Sequence, residues 1–505
     1  MSRLSSLLTI KNLYLLLPFW FVGIFSFFTP VYMHDLGRFI QSGAYMLAHR
    51  TPMMREIFTH TYYGLEYINH GWLSHVILCA VFQAGGIELL VFFRALLALG
   101  IVFLLWRAAR KILENSAAAS LFVFYAAFLS TDFFQLRPQL LIMPFFIILL
   151  EALHEGVTLT TGRQISFFLM LVLWTNLHSS FTLAAILILC FLIGRIGDLI
   201  ASGTNFRSVR TDPAVINLFR LLLILIAATL VNPYGPALWS GMASTVKRVP
   251  FRVSEWKPLA FGGFMGYRVF FSIIFSALII KLSRKKIKSS DLLLLVSFLL
   301  MGLKSARMIP WWGFVSCLIL APHFHGSSLS QIPERFFSRH SENRFRESLL
   351  VNVLFSLFFL GSIILGIPWI RSSVSLSDKE NIFLDPKVEP VEMVKYFETE
   401  AALPEGRMFN FIDWGSYLIW KLWPERRVFA DNQFHIIPND VWEDYLSIHS
   451  GFPDWEDLTD KYGVTLLILS RKKNSRLIKL AAENQAWHKI YENPLSVVFS
   501  KKQEI

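Results

Sequence analysis

The sequence predicts a polytopic α-helical membrane protein with a small α/β domain at its C-terminus. Of its 505 residues, 54% are hydrophobic and only 17% are charged. This apolar content exceeds what a soluble core needs. Many apolar runs approach the length of about 20 residues that lets a helix cross a bilayer. Such runs stop before about residue 378, which separates the two parts.

Eleven apolar segments are predicted to span the membrane. The run at 165–194 is interpreted as two short spans around a polar break, because only that choice leaves the basic loops on one side. The segments are 13–31, 87–106, 117–133, 138–152, 165–176, 179–194, 217–231, 267–282, 291–303, 308–322 and 348–369.

Basic residues mark one set of connecting loops as cytoplasmic. These residues lie at 107–111, 163, 195–210, 281–288 and 335–346. The positive-inside rule then makes the N-terminus cytoplasmic and places the long loop 32–86 and the C-terminal domain outside. The net charge of +12 is thereby assigned to topology, and no nucleic-acid partner is expected. The first apolar run lacks a small-residue cleavage site, so it is predicted to be a span and not a removed signal.

Residues 378–505 are predicted to form one compact α/β unit with a largely parallel sheet, because short strands alternate with helices. Strands are predicted at 407–411, 426–432, 464–470 and 495–501, and helices at 415–423, 439–448, 454–463 and 475–484. The predicted core consists of Phe409, Phe411, Ile412, Tyr417, Leu418, Trp420, Val428, Phe429, Leu466, Ile468, Val497 and Phe499. Amphipathic stretches in the 32–86 loop suit helices that lie in the membrane interface.

The unusual polar clusters all fall in the predicted outer loops. They are HDLG (34–37), LRPQL (136–140), WTNLHSS (174–180), VNPYGPALW (231–239), SEW (254–256) and KSARMIP (304–310). Polar and ionisable groups are costly in a bilayer, so their convergence on one side indicates a cavity or a site. Cys79, Cys190 and Cys317 lie in or beside apolar stretches without metal-ligand spacing and are predicted to be packing residues.

The order of these motifs resembles bacterial membrane proteins of the GT-C glycosyltransferase superfamily. The likeness rests on D-x-G at 35–37, Pro52, Phe58, Thr59, Gly64, Asn69, His70, Trp72, Leu73, RPQ at 137–139, W-x-N-x-H at 174–178, NPYG at 232–235, Glu255, Trp256, Ala306 and Arg307. DWGSYLIWKLWPERRVFADNQ, residues 413–433, resembles the outer domain of one branch. The resemblance implies a polyprenyl-phosphate-linked sugar donor, transfer to an acceptor on the outer face, and an acidic residue of the first outer loop as catalytic base.

Two departures from this branch bear on activity. Arg38 and Phe39 stand where the branch usually has Trp and His, and Gly71 stands where it usually has Glu. Glu56 is a candidate for a related carboxylate only with a one-residue shift. A diverged enzyme and a member that lost its activity are both compatible with these changes.

Asp35 is the predicted catalytic base, since sugar transfer requires deprotonation of an acceptor hydroxyl. The alternative is a helix-capping Asp. The predicted donor phosphate ligands are cations near outer helix ends, namely Arg137, Arg307, Arg38 and Lys304. Interfacial snorkelling is the alternative, which we favour for Lys304 but not for Arg307.

Other polar residues of the outer loops are predicted to contact substrate. They are His34, Glu56, His70, Asn176, His178, Glu255 and Trp256. For Asn176 and His178 the alternative is to satisfy broken-helix backbone, and for Trp256 an interfacial anchor is favoured. No cofactor is predicted. A divalent metal stays open, although the histidines lack metal-ligand spacing.

The leading hypothesis is an inverting membrane glycosyltransferase that uses a polyprenyl-phosphate sugar in a bacterial inner membrane. No Gly-rich phosphate loop is present, which disfavours a nucleotide-sugar donor. One rival is a transporter or flippase for a lipid-linked saccharide, although the inverted repeats typical of transporters are not evident. The other is a catalytically silent membrane scaffold, which the loss of Glu at Gly71 favours.

Overall fold

The computed structural model describes residues 10–248, 253–330 and 349–502. These residues form two compact units. The first unit comprises the described residues of Met1–Thr29, Val91–Pro236 and Val253–Arg371, and the second those of Pro30–Leu90, Ala237–Arg252 and Ser372–Ile505. The long predicted loop thus groups with the C-terminal segment. The predicted basic cluster at 335–346 lies outside the described residues.

The first unit is built from apolar helices. They are Ile10–Phe28, the C-terminal part of Trp72–Leu113, Ser116–Ser130, Pro138–Glu155, Thr161–Leu177, Phe181–Ala201, Pro213–Ala228, Phe264–Leu282, Ser289–Lys304, Ile309–His325 and Leu349–Gly366. Each predicted apolar segment overlaps one of these helices, and the run at 165–194 forms two, as expected. The shorter connecting elements are Thr131–Phe133, Phe206–Thr211, Ser254–Trp256, Ala306–Met308, Ser328–Ser330 and Pro368–Val374.

Five helices in the described part of the chain are long and apolar enough to cross a membrane. The number rises to seven if each of two bent helix pairs counts as one span. The five are Trp72–Leu113, Ser116–Phe133, Pro138–Glu155, Phe181–Ala201 and Phe264–Leu282. A polytopic, mostly helical architecture is therefore confirmed, whereas eleven spans stay a prediction.

The long helix Trp72–Leu113 is broken at Gly85 and Gly86, whose backbone angles are not helical. Gly86 has a φ of +62°, in the left-handed region that a residue without a Cβ adopts readily. The break coincides with the junction that the sequence predicts between the outer loop and the second span.

The second unit combines helices with a four-stranded sheet. Its strands are β1 (Arg407–Asn410), β2 (Val464–Ser470), β3 (Trp487–Glu492) and β4 (Ser496–Lys501). Its helices are Met33–His49, the N-terminal part of Trp72–Leu113, Ala237–Arg248, Lys379–Phe383, Val391–Thr399, Gly415–Leu422, Asn439–Ser450, Trp455–Lys461 and Ser475–Glu483, with a 3₁₀ turn at Ile412–Trp414.

The sheet has the order β1-β2-β4-β3 and is mixed. Only β1 and β2 pair in parallel, whereas β4 pairs antiparallel with both β2 and β3. The predicted largely parallel sheet is therefore wrong. The error arose because strand β3 was not predicted. Three residues connect β3 to β4, and such a short connection allows only antiparallel pairing, so the two strands form a hairpin.

The predicted strand at 426–432 does not form. Val428 makes only an isolated bridge to Thr59. The Val428 N–H donates to the carbonyl of Phe58 at 3.0 Å, and the Phe429 N–H donates to the side-chain oxygen of Asn410 at 2.9 Å. A loop carbonyl and a side-chain oxygen, in place of a ladder of strand hydrogen bonds, thus satisfy this backbone. The other predicted strands and helices of the C-terminal segment are present.

The predicted C-terminal core is buried. Every residue named for it is buried except Trp420, which is half-buried. The helix Met33–His49 packs closely on Gly415–Leu422, since a Cβ at Gly37 would lie 2.2 Å from the carbonyl oxygen of Ser416. Only glycine permits this approach. Whether residues 378–505 fold without the outer loop stays a prediction.

Candidate functional site

Asp35 lies in the first turn of the helix Met33–His49 and is half-buried. Tyr32 occupies the N-cap position, so Asp35 is not the N-cap residue that the alternative interpretation requires. A carboxylate in the first turn is favoured by the positive end of the helix dipole. Asp35 thus lies at the start of the helix, where part of its side chain meets solvent.

Two further acids of the second unit, Glu389 and Asp413, interact electrostatically with the surroundings of Asp35. Glu389 has no exposed surface, and its Oε1 lies 3.2 Å from Nδ1 of His34. Burial raises the pKa of Asp413. The cations of His34 and Lys473 oppose this rise, whereas the carboxylates of Glu389 and Asp35 add to it. The electrostatic coupling joins three carboxylates and one imidazole in a single cluster. His34 is the member of this cluster, besides Asp35, that the sequence singled out.

Arg38 is buried within the second unit. Its Nη1 lies 2.6 Å from Oδ2 of Asp431, and its other terminal nitrogen forms an ion pair with Glu56. All three side chains have no exposed surface. The rings of Phe58 and Tyr67 lie 5.0 and 5.2 Å from the guanidinium carbon. This arrangement argues against the predicted phosphate-binding role of Arg38, because a cation already neutralised and shielded from solvent is not accessible to a lipid phosphate.

Glu56, like Arg38, is bound to other groups of the fold. Its Oε1 accepts the backbone N–H groups of Phe58 and Thr59 at 2.7 and 3.1 Å, while Oε2 pairs with Arg38. Both oxygens are thus committed to the fold of the outer loop, and the predicted contact of Glu56 with substrate is not supported by this geometry.

His70 is partly buried against the helix Ala237–Arg248. Its Nε2 lies 3.1 Å from Oγ1 of Thr245, and its ring stacks on that of His435 at 5.5 Å. Burial lowers the pKa of His70 to about 4, so the ring is neutral at physiological pH. The contacts favour packing and hydrogen bonding within the unit for this residue.

The first unit brings together four residues that the sequence predicts separately. Arg137 directly precedes the helix Pro138–Glu155, and its Nη1 donates to both carboxylate oxygens of Glu255, at 3.0 and 2.7 Å. The side chains are 26% and 37% exposed. An ion pair this exposed contributes only about 0–1 kcal/mol to stability. Arg137 therefore lies where an anion from solution reaches it at little cost to the fold.

Trp256 and Arg307 complete this group. The guanidinium of Arg307 lies 5.8 Å from the centre of the Trp256 ring. The two short turns that carry these residues are joined by a hydrogen bond, since Ser305 Oγ donates to the Glu255 carbonyl at 3.1 Å. We call Arg137, Glu255, Trp256 and Arg307 the outer-turn cluster. Lys304, at the end of the helix Ser289–Lys304, is exposed.

Asn176 and His178 serve the ends of helices. Asn176 Nδ2 donates to the carbonyls of Val172 and Val231, both at 2.8 Å. The backbone N–H of Ser180 donates to Nδ1 of His178 at 3.1 Å, just before the helix Phe181–Ala201. These bonds match the alternative in which Asn176 satisfies broken-helix backbone, and they give His178 a similar task.

Sequence reasoning missed an ion pair between Asp132 and Arg268. Arg268 is buried, pairs with Asp132 and donates to the Phe128 carbonyl at 2.8 Å. Its guanidinium also lies 5.0 Å from the ring of Phe264. The available signal was that each residue interrupts an apolar run, which marks ionisable groups in membrane segments as significant. Glu389 had no such signal, because its partners are distant in sequence.

No three His, Cys, Asp or Glu side chains in the described ranges are close enough together to hold a metal ion, so no metal ligand is assigned. Asp35 belongs to the second unit and the outer-turn cluster to the first. That they share one cavity stays a prediction. All three cysteines are buried and unbridged, as expected.

No family model and no curated protein matches the chain. Solved structures do. The archaeal oligosaccharyltransferase AglB from Archaeoglobus fulgidus, in complex with an inhibitory peptide and a dolichol-phosphate, aligns over 97% of this chain and 74% of its own, with 11% identity and a TM-score of 0.57. The Archaeoglobus fulgidus oligosaccharyltransferase tethered to an acceptor peptide with the NVT sequon aligns over 97% and 74%, with 12% identity and a TM-score of 0.53.

ArnT from Cupriavidus metallidurans, bound to undecaprenyl phosphate, aligns over 96% of both chains with 12% identity and a TM-score of 0.48. The oligosaccharyltransferases are GT-C glycosyltransferases, and at this level of identity they establish the fold alone. The resemblance that the motifs indicated is thus confirmed at the level of architecture. The chain is an integral membrane protein with the fold of the GT-C glycosyltransferases.

Proposed function

We propose that this protein is a membrane glycosyltransferase that moves a sugar, with inversion, from a polyprenyl-phosphate donor to an acceptor on the extracytoplasmic face. The observation that carries the proposal is the fold, which matches over 97% of the chain an oligosaccharyltransferase bound to a dolichol-phosphate. The order of the sequence motifs supports it independently. The sugar and the acceptor are left unassigned.

Asp35 is the proposed base. It accepts a proton from the acceptor hydroxyl while the sugar–phosphate bond breaks, which a carboxylate does well when it is ionised and partly desolvated. It lies in the first turn of a helix, where the positive end of the helix dipole attracts negative charge. Its half-buried side chain supplies the partial desolvation.

Arg137 and Arg307 are the proposed ligands of the donor phosphate. The departing phosphate is anionic, and guanidinium groups bind phosphate oxygens with short, charge-assisted hydrogen bonds. Both arginines belong to the outer-turn cluster, where Glu255 and Trp256 hold them. Glu255 and Trp256 remain candidates for contact with sugar. Arg38 and Glu56 are assigned to the fold, and Lys304 to the membrane surface.

The proposed topology has eleven spans in a bacterial inner membrane. Each predicted span overlaps a helix, and basic residues mark alternate loops. With a cytoplasmic N-terminus, the 32–86 loop and the C-terminal segment lie outside. This orientation suits a lipid-linked donor presented at the outer leaflet.

A catalytically silent scaffold of the same fold is the second candidate. One observation favours it, namely that Arg38 binds Glu56, the residue that could have replaced the missing second carboxylate. An enzyme of this type must therefore work with Asp35 and without an acid at Glu56 or Gly71. The two candidates differ in whether the protein consumes a donor.

The test is Asp35→Asn in the full chain. Membranes are supplied with undecaprenyl-phosphate glucose or undecaprenyl-phosphate mannose, and release of undecaprenyl phosphate is measured. Removing a general base is expected to reduce release by a factor on the order of a hundred or more. Asp457→Asn is the matched control, because Asp457 is exposed in the same unit. A normally abundant, fully active Asp35→Asn protein would refute the base assignment, and an inactive wild type would favour the scaffold.

A further inference from the structure

The helix that carries Asp35 is held at its start by a carboxylate from a distant part of the chain. Glu389 has no exposed surface, and its Oε1 accepts the backbone N–H of Met33 at 2.8 Å. Met33 follows the N-cap residue Tyr32, whose side chain makes no capping hydrogen bond. The first N–H groups of a helix have no partner within the helix. Glu389 therefore performs the task of an N-cap side chain, and adds a negative charge at the positive end of the dipole.

The same carboxylate fixes the residue next to Asp35. Oε1 of Glu389 lies 3.2 Å from Nδ1 of His34, whose side chain is 29% exposed. Asn432 Nδ2 donates to the carbonyl of His34 at 2.9 Å, and the rings of Tyr32 and His34 stack at 5.8 Å. The imidazole is thus held on one edge by a buried acid, while part of its surface stays accessible.

The charges around His34 favour its cationic form. Burial alone lowers the pKa of His34, but the carboxylates of Glu389, Asp35 and Asp413 outweigh it and raise the pKa above its ordinary value. Lys473 acts on the same group of charges through Asp413. The carboxylates of Glu389 and Asp35 also act on that of Asp413, and a cation among like charges relieves their repulsion.

We infer that Glu389 and His34 are positioning residues for Asp35: Glu389 fixes the start of its helix and keeps a cationic imidazole beside its carboxylate. The inference rests on the proposed function, in which Asp35 must be ionised to act as a base. It assigns a task to the C-terminal segment, which holds the catalytic helix of the outer loop.

Glu389→Gln separates charge from shape. Gln keeps an oxygen that accepts the Met33 N–H but cannot hold His34 as a cation. The release of undecaprenyl phosphate should fall as the pH rises through the pKa of His34. In Glu389→Gln this fall should occur at lower pH. In His34→Gln the fall should disappear, with lower activity throughout. The matched control is Glu400→Gln, because Glu400 is exposed in the same segment. Identical pH profiles for wild type and Glu389→Gln would overturn the inference.

Thermal unfolding gives a readout that does not depend on activity. A group whose pKa is raised in the folded state stabilises the fold at low pH, and this contribution is lost as the pH rises through the folded-state pKa. Wild type should therefore exceed Glu389→Gln in melting temperature by more at about pH 6 than at about pH 9. When both proteins also carry His34→Gln, the difference between their melting temperatures should not change with pH. A pH-independent gap in the wild-type background would reduce Glu389 to a purely structural cap and refute the inference. Full activity of Asp35→Asn would instead refute the proposed role of Asp35 as the base, whatever the unfolding data show.

Discussion

Arg38 and Asp431 form a fully buried ion pair across 393 residues of sequence, with Nη1 of the arginine 2.6 Å from Oδ2 of the aspartate. Glu56 binds the same guanidinium. Two anions and one cation are thus enclosed without exposed surface. This network joins the outer loop to the C-terminal segment within the second unit, and it gives Arg38 a structural role.

Arg38→Met should strongly destabilise the second unit. The substitution leaves two buried carboxylates without their cation, and loss of one partner in a buried ion pair costs about 3–5 kcal/mol. Protein abundance and thermal unfolding in detergent would measure the loss. Arg476→Met is the control, because Arg476 is exposed in the same unit and its replacement should change stability by less than about 0.5 kcal/mol.

The triple variant Arg38→Met, Glu56→Gln, Asp431→Asn should recover much of that stability. A buried ion network can often be replaced by neutral residues of similar volume without loss. If the triple variant were as unstable as Arg38→Met alone, the loss would come from packing and not from unpaired charge.

Asp431→Asn should have different effects in the full chain and in residues 378–505 expressed alone. In the full chain it removes a buried partner of Arg38 and should cost about 3–5 kcal/mol. The isolated segment lacks Arg38, so the change should stay within about 0.5 kcal/mol there. The isolated segment is expected to unfold cooperatively, as its sheet and core predict. Equal losses in both proteins would show that Asp431 supports its own segment and not the ion pair.

The sequence predicted those elements whose signal is local. The membrane spans were predicted from long apolar runs, and the amphipathic helices from their periodicity. Strand β2 was predicted from the continuous apolar run VTLLILS. Strand β3, WHKIYE, was missed because it has no continuous apolar run and half of its residues are exposed. Arg38 was predicted to bind phosphate because local sequence patterns do not reveal its ion pairs. One of its two carboxylate partners lies 393 residues away.

The candidate site shows the same division. Arg137, Glu255, Trp256 and Arg307 were each predicted from their position in outer loops, but the contacts between them were not predicted, because the partners lie far apart in sequence. Glu389 could not be found from the sequence, since a buried acid that caps a distant helix resembles any other Glu of a polar connecting segment.

The proposed topology predicts which introduced cysteines react from outside. Glu66→Cys and Ser475→Cys place a thiol at exposed positions of the second unit, and Lys286→Cys places one in the basic loop at 281–288. In a variant without Cys79, Cys190 and Cys317, a membrane-impermeant maleimide should label the first two in intact spheroplasts and the third only after permeabilisation. If Lys286→Cys were labelled in intact spheroplasts and the other two only after permeabilisation, the proposed orientation would be wrong and Asp35 would lie on the cytoplasmic side.

Arg137→Ala and Arg307→Ala should each weaken binding of a lipid phosphate. A hydrogen bond to a charged group contributes about 1.5–3 kcal/mol, which corresponds to roughly tenfold to hundredfold in affinity. Binding of undecaprenyl phosphate to the full-length protein in detergent would measure this without knowledge of the sugar or the acceptor. Lys304→Ala is the matched control, because Lys304 is an exposed cation beside the same turn and should contribute little. High salt should reduce the difference, since the cluster is partly exposed and its charges are screened. If Lys304→Ala weakened binding as much as Arg137→Ala did, a general positive surface would explain the attraction and the outer-turn cluster would lose its assignment as the phosphate site.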